Sequence, residues 1–176
     1  MEDNLRYTDE TDRCYGATGM AIGLVIYDGD DMLAQIDLDA TDGAEMLALT
    51  PDFYFAGNPG ISARSAWNKM VSNFNIGVGL LIANLMCRHL VGRHRTLPDD
   101  VREAIHDIAR EEGSLSAMLD DDEIDRIFNK SLSYLNRVFS HRGVQSVAHD
   151  FADELSRRRN MSRVDVLEQL QALRML

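Results

Sequence analysis

The residues best suited to bind a soft metal ion, Cys87, His89 and His94, lie close together in the sequence. On one helix the side chains of Cys87 and His94 would lie near the same face but two turns apart. Zinc ligands on a helix point together within one turn, and a closed site needs four of them. We therefore predict no metal site here, and interpret the group as a buried cysteine with histidines near a helix end.

Acidic residues form the second candidate site, since carboxylate oxygens suit calcium or magnesium. Asp37 and Asp39 lie at the end of one predicted strand, with Asp42 just after it, and residues 28–31 include three more aspartates in the preceding turn. The calcium-loop spacing fails, because counting from Asp37 the sixth position is Asp42 instead of glycine and the twelfth is Ala48. The prediction is solvated turn acids and no metal or other cofactor.

Three further histidines could act as general bases, but they lie on three different predicted helices: His106, His141 and His149. General acid or base catalysis requires a partner within hydrogen-bonding reach, and none of the three follows a recognisable nucleophile turn. We interpret them as helix-surface histidines. An enzyme whose site combines distant residues, such as His106 with acids of the predicted hairpin, stays an alternative because sites are spatial.

Glycines near the start of the chain do not form a phosphate loop. A dinucleotide-binding loop follows a strand and opens a helix, whereas Gly16, Gly19 and Gly23 precede and enter a predicted strand. They indicate close packing of that strand. Two amides on the predicted central helix, Asn75 and Asn84, either line a pocket or bond neighbouring backbone, and the second interpretation is preferred.

Four arginines surround the predicted connection between the last two helices: Arg157, Arg158, Arg159 and Arg163. Their spacing resembles a helix-turn-helix, which makes a DNA-associated regulator an alternative function. Asp165 and Glu168 lie in the would-be recognition helix, and the formal net charge of −11 opposes attraction to phosphates. The preferred interpretation is an ordinary helical hairpin, with nucleic acid not expected as a partner.

Composition indicates an ordinary globular chain, with 45% hydrophobic and 27% charged residues among 176. Two cysteines give no disulfide framework, which favours a reducing compartment. The acidic N-terminus lacks the pattern of a secretory signal, so the predicted location is the cytoplasm. The most apolar stretch, 76–91, contains Asn84, Arg88 and His89 and predicts a buried core helix instead of a membrane span.

The elements that must position these residues begin with a β-hairpin. Gly19 to Tyr27 is apolar and rich in β-branched residues, residues 28–31 provide a turn, and Ala34 to Asp39 alternates apolar and polar side chains. A short helix follows from Thr41 through Leu49, ended by Pro51. Residues 52–57 are a candidate third strand.

Helical spacing dominates the rest of the chain. It predicts a long central helix over 62–91, a second ending before Gly113, a third from Asp120 to residue 141, a fourth from Val144, and a last one capped by Ser162 with Asp165. We therefore predict a predominantly helical α+β fold: an N-terminal β-hairpin or three-stranded meander packed on a bundle of about five helices. The predicted organisation is a flexible acidic segment over 1–18 and one domain over 19–176, divided into 19–57 and 62–176.

The function predicted from this pattern is a non-enzymatic protein-binding or scaffold domain that self-associates as a homodimer. A strand that is apolar on both faces normally has both faces covered. The predicted first strand would expose apolar side chains next to an open edge, and the phenylalanines of 52–57 would extend that patch. The residues predicted to mediate self-association are Val25, Tyr27, Phe53 and Phe55.

Overall fold

A long apolar helix, α3 (Ala63–Met86), lies at the centre of the fold and continues as a π-helical segment, Cys87–Gly92. These bounds come from a computed structural model that describes residues 5–41, 45–54 and 63–175. Residues from Ile82 to His89 are all buried, as expected for a helix surrounded by others. The central helix predicted over 62–91 is confirmed across its described length.

By length and composition alone, the helix Ala66–Gly92 could cross a membrane, with a mean hydropathy of 1.5. However, 67% of its most apolar window is buried against the rest of the chain, and Arg88 lies within it. Burial of most of that window against the same chain is typical of a core helix.

The N-terminal helix α1 (Glu10–Ile26) replaces the first strand of the predicted hairpin. The prediction of a strand over 19–27 is wrong because a short apolar run does not distinguish a buried strand from a buried helix. The glycines there allow close helix packing: a Cβ atom added at Gly19 would lie 2.6 Å from Cys87 Cβ, and one at Gly23 would lie 2.8 Å from Ala83 Cβ. The predicted boundary after residue 18 therefore falls inside α1, and the flexible segment predicted over 1–18 is helical from Glu10.

A small antiparallel sheet with strand order β2-β1-β3 confirms the α+β class. Strand β1 (Leu33–Asp37) pairs with β2 (Leu47–Leu49) on one side and with β3 (Asn160–Ser162) on the other. The helix predicted through Leu49 was wrong, since β2 occupies that position. Pro51 does not end a helix but begins α2 (Pro51–Tyr54), where its missing N–H is harmless. This helical turn replaces the candidate third strand over 52–54, and 55–57 lie outside the described residues.

The remaining helices are α4 (Asp99–Ser116), α5 (Asp121–Ser140), α6 (Arg142–Arg158) and α7 (Arg163–Gln169), with short 3₁₀ segments at Asp30–Met32 and Gln171–Met175. The predicted cap of the last helix is confirmed, because Ser162 and Asp165 form a reciprocal capping box. Helix α4 runs through Gly113 instead of stopping before it. A side chain there would collide with Phe74 and Ile124, whose nearest atoms would lie 2.8 Å from its Cβ.

Candidate functional site

An apolar groove of about 460 Å³ lies between α3 and α4, with Phe53 of α2 beside it. The residues contributed by α3 repeat at three or four positions and so lie along one side of that helix. They are Met70, Asn73, Phe74, Gly77, Val78 and Leu81, and they face Ile108, Ala109, Glu112 and Ser116 of α4. The sequence placed much of this stripe in the core, whereas the structure leaves part of it open to solvent.

Gly77, which has no side chain, lies in the open part of the groove. A Cβ atom built at Gly77 meets nothing within 4 Å. By contrast, Gly113 is closely packed against Phe74, so the two helices touch there. Residues 93–98 join α3 to α4 by a short connection, as is usual for antiparallel neighbours.

Asn73 supplies the groove with a buried hydrogen-bond acceptor. Its side chain is 7% exposed, and Nδ2 donates to the backbone carbonyl oxygen of Phe53 at 2.5 Å. A carbonyl oxygen can only accept, so this bond fixes which end of the amide is the nitrogen. Among the described residues no group donates to Asn73 Oδ1. An unpaired buried carbonyl costs about 1–3 kcal/mol, and a ligand with an N–H or O–H donor would remove that cost.

The second polar group on the groove is the carboxylate of Glu112 on α4. Ser116 Oγ donates its proton to Glu112 Oε2 at 2.9 Å, so the hydroxyl is committed to holding the carboxylate. Glu112 is exposed and therefore solvated in the free protein. Asn73 and Glu112 thus present acceptors to the groove, and the hydroxyl proton of Ser116, the third polar lining residue, is directed to Glu112.

Exposed apolar side chains extend the groove at one end. Trp67 is 43% exposed and lies seven residues before Phe74, on the same side of α3. Leu115 is 75% exposed and lies seven residues after Ile108, on the same side of α4. Met118, 78% exposed, follows directly after that helix. Exposed apolar residues that adjoin an open groove mark an interaction surface more often than scattered ones do.

Most of the predicted DNA-contacting arginines are engaged by carboxylates. Arg157 pairs with Glu154 at 2.5 Å and Arg158 with Asp165 at 2.8 Å. Arg159 bonds Asp39 at 2.5 Å and also Glu10, and Arg163 is exposed. Hydrogen bonds to Asp39 and Glu10 raise the pKa of Arg159, and bonds from Ser162 and Arg158 lower the pKa of Asp165. The short connection between α6 and α7 contains strand β3, which pairs with β1 in the sheet.

The residues predicted to mediate self-association do not form one surface strand. Val25 and Tyr27 lie at the end of α1, half-buried against the core. The Tyr27 ring meets Tyr134 edge to face, with centroids 6.2 Å apart, and burial raises the pKa of its hydroxyl. Phe53 lines the groove, and Phe55 lies outside the described residues. The uncovered strand that motivated the prediction is therefore absent from residues 19–26.

The cysteine, histidine and asparagine residues considered as candidate site residues do not come together in one site among the described residues. Burial raises the pKa of the Cys87 thiol, and within residues 5–41, 45–54 and 63–175 no three His, Cys, Asp or Glu side chains surround a metal-sized space. His149 Nδ1 lies 2.8 Å from Tyr15 Oη, and the His94 ring lies 6.0 Å from that of His149. Asn84 donates to Tyr7 Oη at 2.7 Å, whereas Asn75 is half-buried.

His106 belongs to a contact between α4 and α5, away from the hairpin acids with which it could have formed an enzyme site. Its Nε2 lies 2.7 Å from Asp125 Oδ1, and its ring stacks on Phe128. Arg110 donates to both oxygens of Asp125, at 3.0 and 2.8 Å. Hydrogen bonds from Arg110, and then from His106, lower the pKa of Asp125. The Asp125 carboxylate, bonded by Arg110 and His106, fastens α4 and α5 together.

A buried ion pair, missed by the sequence analysis, closes the other end of α3. Arg88 Nη2 lies 2.6 Å from Asp12 Oδ2, and the guanidinium also donates to the backbone carbonyls of Leu5 and Arg6. Arg93 lies 2.9 Å from the second Asp12 oxygen. A cleft of about 160 Å³ lies beside this pair, whose opposite charges are in direct contact, although Arg88 Nε has no acceptor among the described residues. The cluster holds the N-terminal segment on the core.

Comparison with family models, curated proteins and solved structures finds no match to this chain. Its function must therefore be inferred from its own residues. The groove between α3 and α4 is the described surface that combines open volume, exposed apolar side chains and an unpaired buried acceptor.

Proposed function

We propose that this protein is a non-enzymatic interaction domain that binds the apolar face of a partner helix in the groove between α3 and α4. The observation that carries the proposal is an open apolar groove whose buried acceptor, Asn73 Oδ1, has no donor among the described residues. Binding would bury the apolar lining and bring a donor to that oxygen. Both effects favour the complex over the free domain.

The length and lining of the groove support a helical partner. The stripe from Trp67 to Leu81 covers fourteen steps along α3, or roughly 21 Å at the α-helical rise. A partner helix of three to four turns has about that length, and its anchors at i, i+3, i+4 and i+7 can enter such a groove. A compact metabolite would leave the exposed side chains of Trp67 and Leu115 uncovered.

The proposal retains part of what the sequence predicted. Phe53, predicted as a self-association residue, lines the groove, and a second copy of the chain is one partner that could supply the helix. We place the domain in the cytoplasm, which the buried free thiols of Cys14 and Cys87 support because reducing compartments keep thiols unpaired. A DNA-associated regulator is less favoured than an interaction domain, since three of the four arginines near α7 are paired with carboxylates.

Filling the groove from its open position tests the proposal. Gly77→Leu places a side chain where no atom lies within 4 Å, and a leucine is well accepted in a helix. We expect partners recovered with the wild-type protein from its own cells to be lost with Gly77→Leu. The matched control, Asn129→Leu, adds a leucine at an exposed position of α5 outside the groove and should retain them.

Both variants should keep the circular dichroism spectrum and melting behaviour of a folded helical protein, so that any loss reports the groove and not unfolding. Equal recovery of the same partners by wild type and Gly77→Leu would contradict the proposal.

A further inference from the structure

We infer that the helix bound in this groove is cationic: it presents an apolar face flanked by lysine or arginine residues that reach Glu112. This inference rests on the proposed function and specifies the chemistry of its partner. It follows from the hydrogen-bond acceptors of Asn73 and Glu112 in the groove, from the negative charge along α4 and from the position of the exposed apolar residues.

The unpaired polar atom of the groove is a hydrogen-bond acceptor. Asn73 Oδ1 is a carbonyl oxygen, and the amide nitrogen of the same side chain already donates to the backbone carbonyl of Phe53. Glu112 carries a carboxylate, and the Ser116 proton is already directed to it. A complementary ligand must therefore bring donors, and an ammonium or guanidinium group brings several without an acceptor of its own.

Acidic side chains continue along α4 beyond the groove. Glu103, Asp107 and Glu111 recur every four residues, which aligns them as an acidic strip on an exposed side of the helix. The basic residues Arg64 and Lys69 of α3 are not among those that line the groove. With a formal net charge of −11 for the chain, a cationic partner would be attracted from a distance as well as on contact.

The same chemistry disfavours other occupants. A fatty-acid carboxylate or an acidic helix would bring negative charge to Glu112 and leave Asn73 Oδ1 unpaired. A two-fold contact between copies of this chain through the groove would bring the acidic strips of two α4 helices together. The observations therefore favour a different, basic chain over a second copy.

Three synthetic helical peptides of about 18 residues test the inference. They share leucines at i, i+3, i+4 and i+7 and differ only at the flanking positions, which are lysine, glutamine or glutamate. Binding is measured by anisotropy of a dye on the peptide. The emission of Trp67, the single tryptophan of the chain, reports whether the peptide covers the groove end.

We expect the lysine peptide to bind at least about tenfold more tightly than the glutamate peptide at low salt, with a Trp67 blue shift. Glu112→Gln should remove most of that preference. Glu168→Gln, which removes one negative charge from an exposed position of α7, should change either affinity by less than about twofold.

The outcomes separate this inference from the proposed function. Equal binding of all three peptides, blocked by Gly77→Leu, would overturn the cationic partner and leave the groove as a binding site. Failure of every peptide to bind would overturn the inference. A dimer of the wild-type chain that Gly77→Leu dissociates would overturn it too, by showing that a second copy fills the groove. The proposed function itself would be contradicted by a different result, namely that Gly77→Leu recovers the same partners as the wild type.

Discussion

Asp12 and Arg88, which are 76 positions apart in the chain, form an ion pair with 2.6 Å between Oδ2 and Nη2 and with almost no exposure to water. The pair joins the start of α1 to the π-helical segment that ends the central helix. Burial alone would disfavour the charged carboxyl, but hydrogen bonds from Arg88 and from the Thr8 backbone outweigh it and hold the pKa of Asp12 below its usual range. The N-terminal segment is therefore fastened by charge as well as by apolar contact.

Removing one member of this pair should cost much more stability than removing a surface partner. Asp12→Asn leaves a buried guanidinium without its counter-charge, and we expect a loss of about 3 kcal/mol in the free energy of unfolding. Asp99→Asn breaks the solvent-exposed contact with Arg102, and we expect a loss below about 1 kcal/mol. Urea denaturation of both variants measures the difference, and equal losses would show that the buried pair has no special role.

Mild acid should destabilise the protein through His89. Burial, followed by the nearby Arg93 and Arg88, lowers the pKa of this histidine from 6.5, so the folded state favours neutral imidazole. The unfolded chain binds the proton first as the pH falls, and stability is therefore lost from about pH 6.5 down to the folded-state pKa. Melting temperatures between pH 7.5 and about 5 should fall more for the wild type than for His89→Gln. Parallel curves for the two proteins would contradict this prediction.

Two glycines in helices should respond oppositely to alanine. Gly77 has open space around it, so Gly77→Ala should raise the free energy of unfolding by about 0.5–1 kcal/mol through helix propensity alone. A methyl group at Gly19 would collide with the Ala83 carbonyl oxygen and lie 2.6 Å from Cys87 Cβ, so Gly19→Ala should lower it by about 1–3 kcal/mol. Chemical denaturation of the two single variants provides the comparison. A stabilised Gly19→Ala would show that α1 and α3 do not approach as closely as described.

Features set by neighbouring residues could be predicted from the sequence. The Ser162 and Asp165 capping box involves two side chains three positions apart. The central helix was predicted from apolar residues that repeat at helical spacing. Residues 19–26 could not be assigned locally, because isoleucine, leucine and valine serve equally in a buried helix or a buried strand. Strand β3 is only three residues long. It forms because it pairs with the edge of β1, which is distant in the sequence.

The groove could not be predicted from the sequence, for a different reason. Helical spacing placed Trp67, Phe74, Val78 and Leu81 on one face, but spacing does not tell which part of that face a neighbour covers. The coverage depends on how α4 approaches, and Gly113 allows α4 to pack closely against Phe74. Asn73 was missed although it lies three positions after Met70 and four before Gly77, which places it on the groove side of α3.

The placement of β3 next to β1 also governs the order in which the chain can complete its structure during synthesis. The contact between Arg159 and Asp39 at this junction spans 120 positions, so the sheet gains its third strand only after the residues between them have been synthesised. Until then β1 has only β2 beside it, and a two-stranded sheet is marginally stable in water. While the intervening residues are being synthesised, β1 therefore carries an open strand edge, and an unpaired edge exposes a nascent chain to aggregation.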